Sequence, residues 1–199
     1  MVKSAAAKQS KPKKKSTAKK STAEKSSAGG PLTKLLAFEA KHPGIYYASG
    51  FELQKPSPGD LASWSTDPAF TAPLTVFAQA NGSGSMYALW QPDASTTPDK
   101  TPVLVFGDEG GVHLVAENVA TLLRMLAYDC EPMVDHDGVT FYRDKDDPQS
   151  AAHEPYVKWL TKEIGAPIAK SKDISAALKA AKTAHGKAFK AFAKKYIPQ

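Results

Sequence analysis

Two runs of β-type residues, Leu74-Thr75-Val76-Phe77-Ala78 and Met86-Tyr87-Ala88-Leu89-Trp90, stand on either side of Asn81-Gly82-Ser83-Gly84. Asn-Gly readily adopts positive φ, so the pair is expected to close as a β-hairpin. A third run, Val103-Leu104-Val105-Phe106, is apolar at every position, as strands covered on both faces are. Gly107-Asp108-Glu109-Gly110-Gly111 then turns the chain into Val112, Leu114 and Val115. Strand, hairpin and turn in this order commit the middle of the chain to a sheet.

On either side of this sheet the period of the apolar residues changes. Val119, Leu122, Leu123, Met125 and Leu126 fall on one helical face, as do Tyr156, Val157, Trp159, Leu160 and Ile164 before Gly165 and Pro167. Leu32, Leu35, Leu36 and Phe38 predict a short helix ending before His42-Pro43-Gly44. Residues 45–53 (Ile45, Tyr46, Tyr47, Phe51, Leu53) read as a first strand, and 60–73 as an ordered loop anchored by Trp64 and Phe70. The acidic stretch 129–147 reads as irregular, with a short strand or turn at 139–142. A final helix is expected from Asp173, as N-cap or first-turn acid, to Tyr196, with a bend at His185-Gly186.

Charge is segregated along the 199 residues, whose formal net charge is +6. Residues 1–30 carry nine lysines against Glu24 and hold no large apolar side chain beyond Met1 and Val2. Such a segment cannot bury enough surface to offset its ordering entropy and is expected to be disordered. Residues 31–155 carry seventeen acids against seven bases, a net of −10, and residues 156–199 carry ten lysines against two acids, a net of +8. Overall basicity is therefore not a property of the central sheet.

The stretch from Phe77 to Trp90, then Pro102 to Gly110, then Val115-Ala116 leading into the Leu-rich helix, resembles the SUKH superfamily of bacterial immunity proteins and yeast cell-wall-synthesis regulators. The resemblance covers residues 64–128, is looser over the C-terminal helices, and does not include the Lys-rich tail. It implies a non-catalytic protein that binds and neutralises a partner toxin, often a nuclease. Independently of the family, an acidic middle suits a basic partner, because opposite potentials steer association; surplus carboxylates also serve solubility alone. Trp64, Tyr87, Trp90, Asp108 and Glu109 lie in or beside the recognisable core and are the candidate partner-binding residues, with core packing the competing role for the three aromatics.

Other chemistries are weakly supported. Asp129, Glu131, Asp135, His136 and Asp137 gather oxygen and imidazole donors but lack the spacing of a calcium loop, so no metal is expected. Neither Gly82-Ser83-Gly84 nor 107–111 runs into a helix start with a lysine, as a phosphate-cradling loop would. Ser83 or Ser85 with His113 and Asp108 could be gathered for hydrolysis, but no strand-to-helix nucleophile elbow is present, and His113 is expected to face solvent. No cofactor and no enzymatic activity are expected.

The tail run Lys11, Lys13, Lys14, Lys15, Lys19 and Lys20 resembles histone tails in composition and supplies the alternative function, non-specific nucleic-acid association by phosphate contacts. Without aromatic or Arg residues it should be salt-sensitive and blind to sequence. Binding of the tail to the acidic middle of the same chain is the intramolecular counterpart. Cys130 is the sole cysteine, which suits a reducing compartment, and no apolar run reaches the ~20 residues of a membrane span or forms a secretory signal. The expectation is a cytoplasmic α+β protein: a small antiparallel or mixed β-sheet flanked by helices over 31–199 (core 44–128, C-terminal helices 152–197), preceded by a disordered tail over 1–30.

Overall fold

The computed structural model describes residue 1, residues 29–93, residue 97 and residues 100–197. Five strands, β1 (Glu52–Leu53), β2 (Leu74–Gln79), β3 (Met86–Trp90), β4 (Val103–Phe106) and β5 (Val112–Ala116), form one sheet in sequence order. Every neighbouring pair is antiparallel, with Val76 opposite Ala88, Ala88 opposite Leu104 and Leu104 opposite Leu114. Among the described residues five helices accompany it: α1 (Pro31–Lys41), α2 (Pro68–Thr71), α3 (Val119–Leu126), α4 (His153–Glu163) and α5 (Ser171–Tyr196). The fold is α+β, as the alternation of periods predicts.

Both faces of the sheet are covered, which is why β4 is apolar throughout. Tyr87, Val103 and Val105 point to a core closed by Leu35 and Phe38 of α1, Leu122 and Leu123 of α3, and Tyr156 and Leu160 of α4. Ala88, Trp90, Leu104 and Phe106 point the other way, under Leu61, Trp64, Phe70 and the Phe189, Phe192 and Tyr196 side of α5.

Two irregularities in register fit this arrangement. Pairing shifts between Val76 and Ala78 on β2, and between the partners of Val103 and Leu104, which leaves Phe77 and Val115 as the extra residues. A bulge lets adjacent side chains share a face. Phe77 with Ala78, and Val115 with Ala116, accordingly both enter the α1/α3/α4 core. β5, at the edge of the sheet, also lies against α5, so the helix shields what would be an open edge.

Several local expectations are corrected. Only Glu52–Leu53 of the 45–53 run joins the ladder. Tyr47 instead stacks on Tyr156 at 4.7 Å, and the chain turns through Gly50 at φ +69, so its aromatic residues are there for packing and not for pairing. Within 60–73 the short α2 forms because Asp67 accepts the amide of Ala69 at 2.8 Å and Pro68 opens the first turn.

The 129–147 stretch holds a second, two-stranded sheet of β6 (Pro132–Val134) and β7 (Val139–Phe141). Asp135 Oδ1 accepts the amides of Asp137 and Gly138, each at 2.8 Å, and so builds the turn that composition alone hides. α5 runs unbroken through His185-Gly186, with Lys170 as its N-cap and Asp173 in its first turn. Phe192, stacked on Phe70 at 5.7 Å, and Tyr196 anchor its second half, which outweighs the ~1 kcal/mol that a mid-helix glycine costs.

Among the described residues no helix is long and apolar enough to cross a membrane.

Candidate protein-binding site

The tip of the β2–β3 hairpin is a knot of polar contacts. Asn81 Oδ1 accepts the backbone amides of Ser85 at 2.8 Å and Gly84 at 3.1 Å, while its Nδ2 donates to Ser85 Oγ at 3.0 Å and to the carbonyl of Pro132 at 3.1 Å. Glu131 Oε2 takes the amide of Gly82 at 2.9 Å. The hairpin end is thereby fastened to the segment entering β6.

The same knot fixes Asp108, in the turn between β4 and β5. Ser85 Oγ, fully buried, donates to Asp108 Oδ1 at 2.6 Å, and Ser83 Oγ lies 3.0 Å from the same oxygen. The amide of Asp108 donates back to Ser85 Oγ at 3.2 Å. Hydrogen bonds from Ser85, and then from Ser83, outweigh the desolvation that opposes charge, and hold the carboxyl below the usual aspartate range. Asp108 is an exposed carboxylate that is both ionised and oriented.

The turn itself is glycine-rich for steric reasons. A Cβ on Gly107 would stand 2.2 Å from the carbonyl oxygen of Gly110, and one on Gly111, at φ +82, would stand 2.0 Å from that of Asp135. The β6–β7 hairpin leans on this turn from below, which leaves Asp108 and Glu109 exposed on its outer side. Tight packing accounts for these glycines without a phosphate.

Beside the turn opens a recess of about 380 Å³. Its floor is Met86 and Phe106, its wall is Trp64, and Asp108 and Glu109 stand at its lip. Trp64, half-buried, meets Phe106 edge-on with ring centroids 5.3 Å apart. A half-exposed indole next to carboxylates can receive a cation, through the ring face and through a charge-assisted hydrogen bond.

Three of the five candidate binding residues, Trp64, Asp108 and Glu109, therefore meet at one place. Tyr87 and Trp90 do not join them. Three positions apart on β3 and so on opposite faces, they are 1% and 2% exposed and fill the two cores on either side of the sheet, so neither offers a face to a partner. Asn81 was legible only as a turn former, and Ser83 and Ser85 only as turn residues or as members of a hydrolytic set with Asp108 and His113, not as the groups that orient the carboxylate; the signal that could have found that role is the density of polar side chains in Asn81-Gly82-Ser83-Gly84-Ser85.

The other constellations are used internally. Asp129 binds Ser49, Ser150 and Arg143, Glu131 binds Gly82 and Ser49, and Asp135 forms the β6–β7 turn. No group of three His, Cys, Asp or Glu placed to hold a metal ion occurs among the described residues. His113 does not simply face solvent: it is half-buried, and its Nε2 donates to the carbonyl of Asp135 at 2.6 Å, committed to backbone and not to a serine. Lys11, Lys13, Lys14, Lys15, Lys19 and Lys20 lie outside the described residues.

No family model, curated protein or solved structure matches the chain.

Proposed function

We propose that this protein is a non-catalytic, cytoplasmic protein-binding module of the immunity type, whose recess at Trp64, Asp108 and Glu109 receives a basic side chain of a partner such as a nuclease toxin. The observation that carries the reading is Asp108, held ionised at the lip of an aromatic recess by two serines that belong to another hairpin. A carboxylate whose orientation is set in advance loses little freedom on binding, so more of its interaction energy becomes affinity. The surplus of acids in residues 31–155, −10 before the +8 of residues 156–199 is added, supplies local and not long-range attraction for a basic side chain, and the SUKH-like order of strands and turns supports the same class.

The test is affinity capture on the full-length protein from nuclease-treated lysate of the source cells, beside a Trp64→Ala/Asp108→Asn/Glu109→Gln variant. A basic protein retained by the parent and lost by the variant is the expected result. Capture that disappears on nuclease treatment, or that the variant retains in full, overturns the reading.

The second reading, non-specific nucleic-acid association, rests on the nine lysines of residues 1–30. It requires binding that weakens steeply with salt, since each neutralised phosphate releases a counterion.

A further inference from the structure

A groove of about 510 Å³ separates α1 from α4 and shares no residue with the Trp64 recess. Its base is aromatic. Phe38 is almost fully buried, with the half-buried Trp159 at 4.9 Å and the His42 ring at 4.8 Å, both tilted against it.

Around these rings stand Lys34, Lys41, Lys158 and Lys162, and among the described residues Glu163 is the one acid that lines the groove. Lys34 Nζ donates to the carbonyl of Glu163 at 2.9 Å, which ties α1 to the C-terminal end of α4 and places an ammonium at that end of the groove. Lys158 and Lys162 are 75% and 82% exposed, and their ion pairs with Glu154 and Glu163 are therefore of the solvent-screened kind that contributes little and yields readily to a competing anion.

From this arrangement we infer that the α1/α4 groove binds single-stranded nucleic acid, with a base against Trp159 and the flanking phosphates on Lys41, Lys158 and Lys162. The inference is independent of the Trp64 recess. Flat aromatic rings set among spaced ammonium groups are what an unpaired strand requires, because every base has a face to stack and every nucleotide a charge to neutralise. A chain of carboxylates alone would satisfy the lysines and leave Trp159 without a ring to face.

The position of the lysine-rich segment agrees with this occupant. Residues 1–30, with a net charge of +8, join the chain at Gly30, immediately before the helix that supplies Lys34 and Lys41. Groove and segment carry the same sign, so they do not attract each other, and one polyanion can engage both. The groove adds the stacking surface that the segment, without aromatic residues, lacks.

The experiment follows the indole N–H resonance of Trp159, assigned with Trp159→Phe, in the full-length protein titrated with a thymidine dodecanucleotide, while anisotropy of the labelled strand reports affinity. The strand should shift that resonance. The exposed-site variant Lys41→Glu/Lys158→Glu, its fold checked by circular dichroism, should bind about tenfold or more weakly and with a shallower salt dependence. Poly-glutamate should leave the Trp159 resonance in place.

A strand that binds without moving Trp159, or that binds the variant unchanged, places the binding outside the groove and overturns the inference. Poly-glutamate that moves Trp159 as far as the strand does shows a site for acidic chains in general, and also overturns it.

Discussion

Asp129 holds Ser150 twice, accepting its hydroxyl at 2.6 Å on one carboxylate oxygen and its backbone amide at 2.7 Å on the other. The same buried carboxylate accepts the amide of Ser49 at 2.9 Å and faces Arg143 at 3.2 Å, with His153 Nδ1 3.7 Å away. Asp129 sits at φ +54, the sole non-glycine residue with positive φ among those described, and joins the loop before β1, the exit of α3 and the entry of α4. Removing it takes the carboxylate from Arg143 and the acceptor from the amides of Ser49 and Ser150 and the hydroxyl of Ser150. Asp129→Ala is expected to cost about 3 kcal/mol of stability in urea unfolding, because a buried charge and its donors lose their partner together.

Asp129 also gives the stability a defined acid dependence. Burial opposes its charge, but the hydrogen bonds from Ser150, Ser49 and Arg143 outweigh burial and hold the carboxyl below the usual aspartate value. A depressed folded pKa means that the contribution is complete well above the unfolded value of about 3.9 and is lost as pH falls from there through the lower folded value. Asp129→Asn should flatten the pH dependence of the unfolding free energy in that window, as read from urea midpoints at a series of pH values.

Ser85→Ala removes the hydroxyl that donates to Asp108 and receives Asn81 Nδ2. The Asp108 carboxyl should titrate at higher pH than in the parent, by carboxyl-carbon NMR, and the fold should lose about 1–2 kcal/mol as the buried donors go unmet. An unchanged Asp108 titration would remove Ser85 from the account of its charge.

Gly186 lies inside α5, and a Cβ built there meets nothing within 4 Å. Gly186→Ala should raise stability by about 0.5–1 kcal/mol through better helix propensity and a less free unfolded chain. Phe192→Ala should act in the opposite sense, freeing the end of α5 from Phe70 and Trp90. Hydrogen exchange should accelerate beyond residue 186 in that variant while β3 and β4 stay protected.

Gly107→Ala probes how closely the β4–β5 turn is packed. Its added methyl would meet the Gly110 carbonyl and the Val134 side chain at 2.7 Å, so the turn must open. A loss of about 2 kcal/mol is expected in thermal or urea unfolding, with Asp108 and Glu109 displaced from the recess.

The parts legible in the sequence are those in which local chemistry and tertiary packing agree. The hairpin is legible at Asn81 to Gly84, although Asn81 acts through its side chain, which accepts the amides of Gly84 and Ser85, and the positive φ falls on Gly84 and not on Asn81-Gly82. Val103 to Phe106 is apolar throughout because both of its faces are covered. Packing overrides pattern elsewhere. Ile45, Tyr46 and Tyr47 have strand-forming side chains, yet Tyr47 is held by Tyr156, which stands over a hundred residues away, and the backbone never reaches the ladder. The bulges at Phe77 and Val115 are set by the second core layer, which no single strand's alternation encodes. Trp64 and Trp90 are alike as sequence signals, and only the direction of β3 assigns Trp90 to the core while Trp64 keeps one side open at the recess. The α1/α4 groove was invisible for the same reason, since Phe38 and Trp159 read as the apolar faces of two separate helices.

The most direct test of the protein-binding account is photocrosslinking in the source cells from a benzoylphenylalanine placed at position 63, which lines the recess beside Trp64, in the full-length protein. A basic protein crosslinked at that position, and lost when Asp108→Asn/Glu109→Gln is added, is the predicted result. Crosslinks confined to the chain itself or to nucleic acid, or a protein crosslink that persists without the two carboxylates, would contradict it.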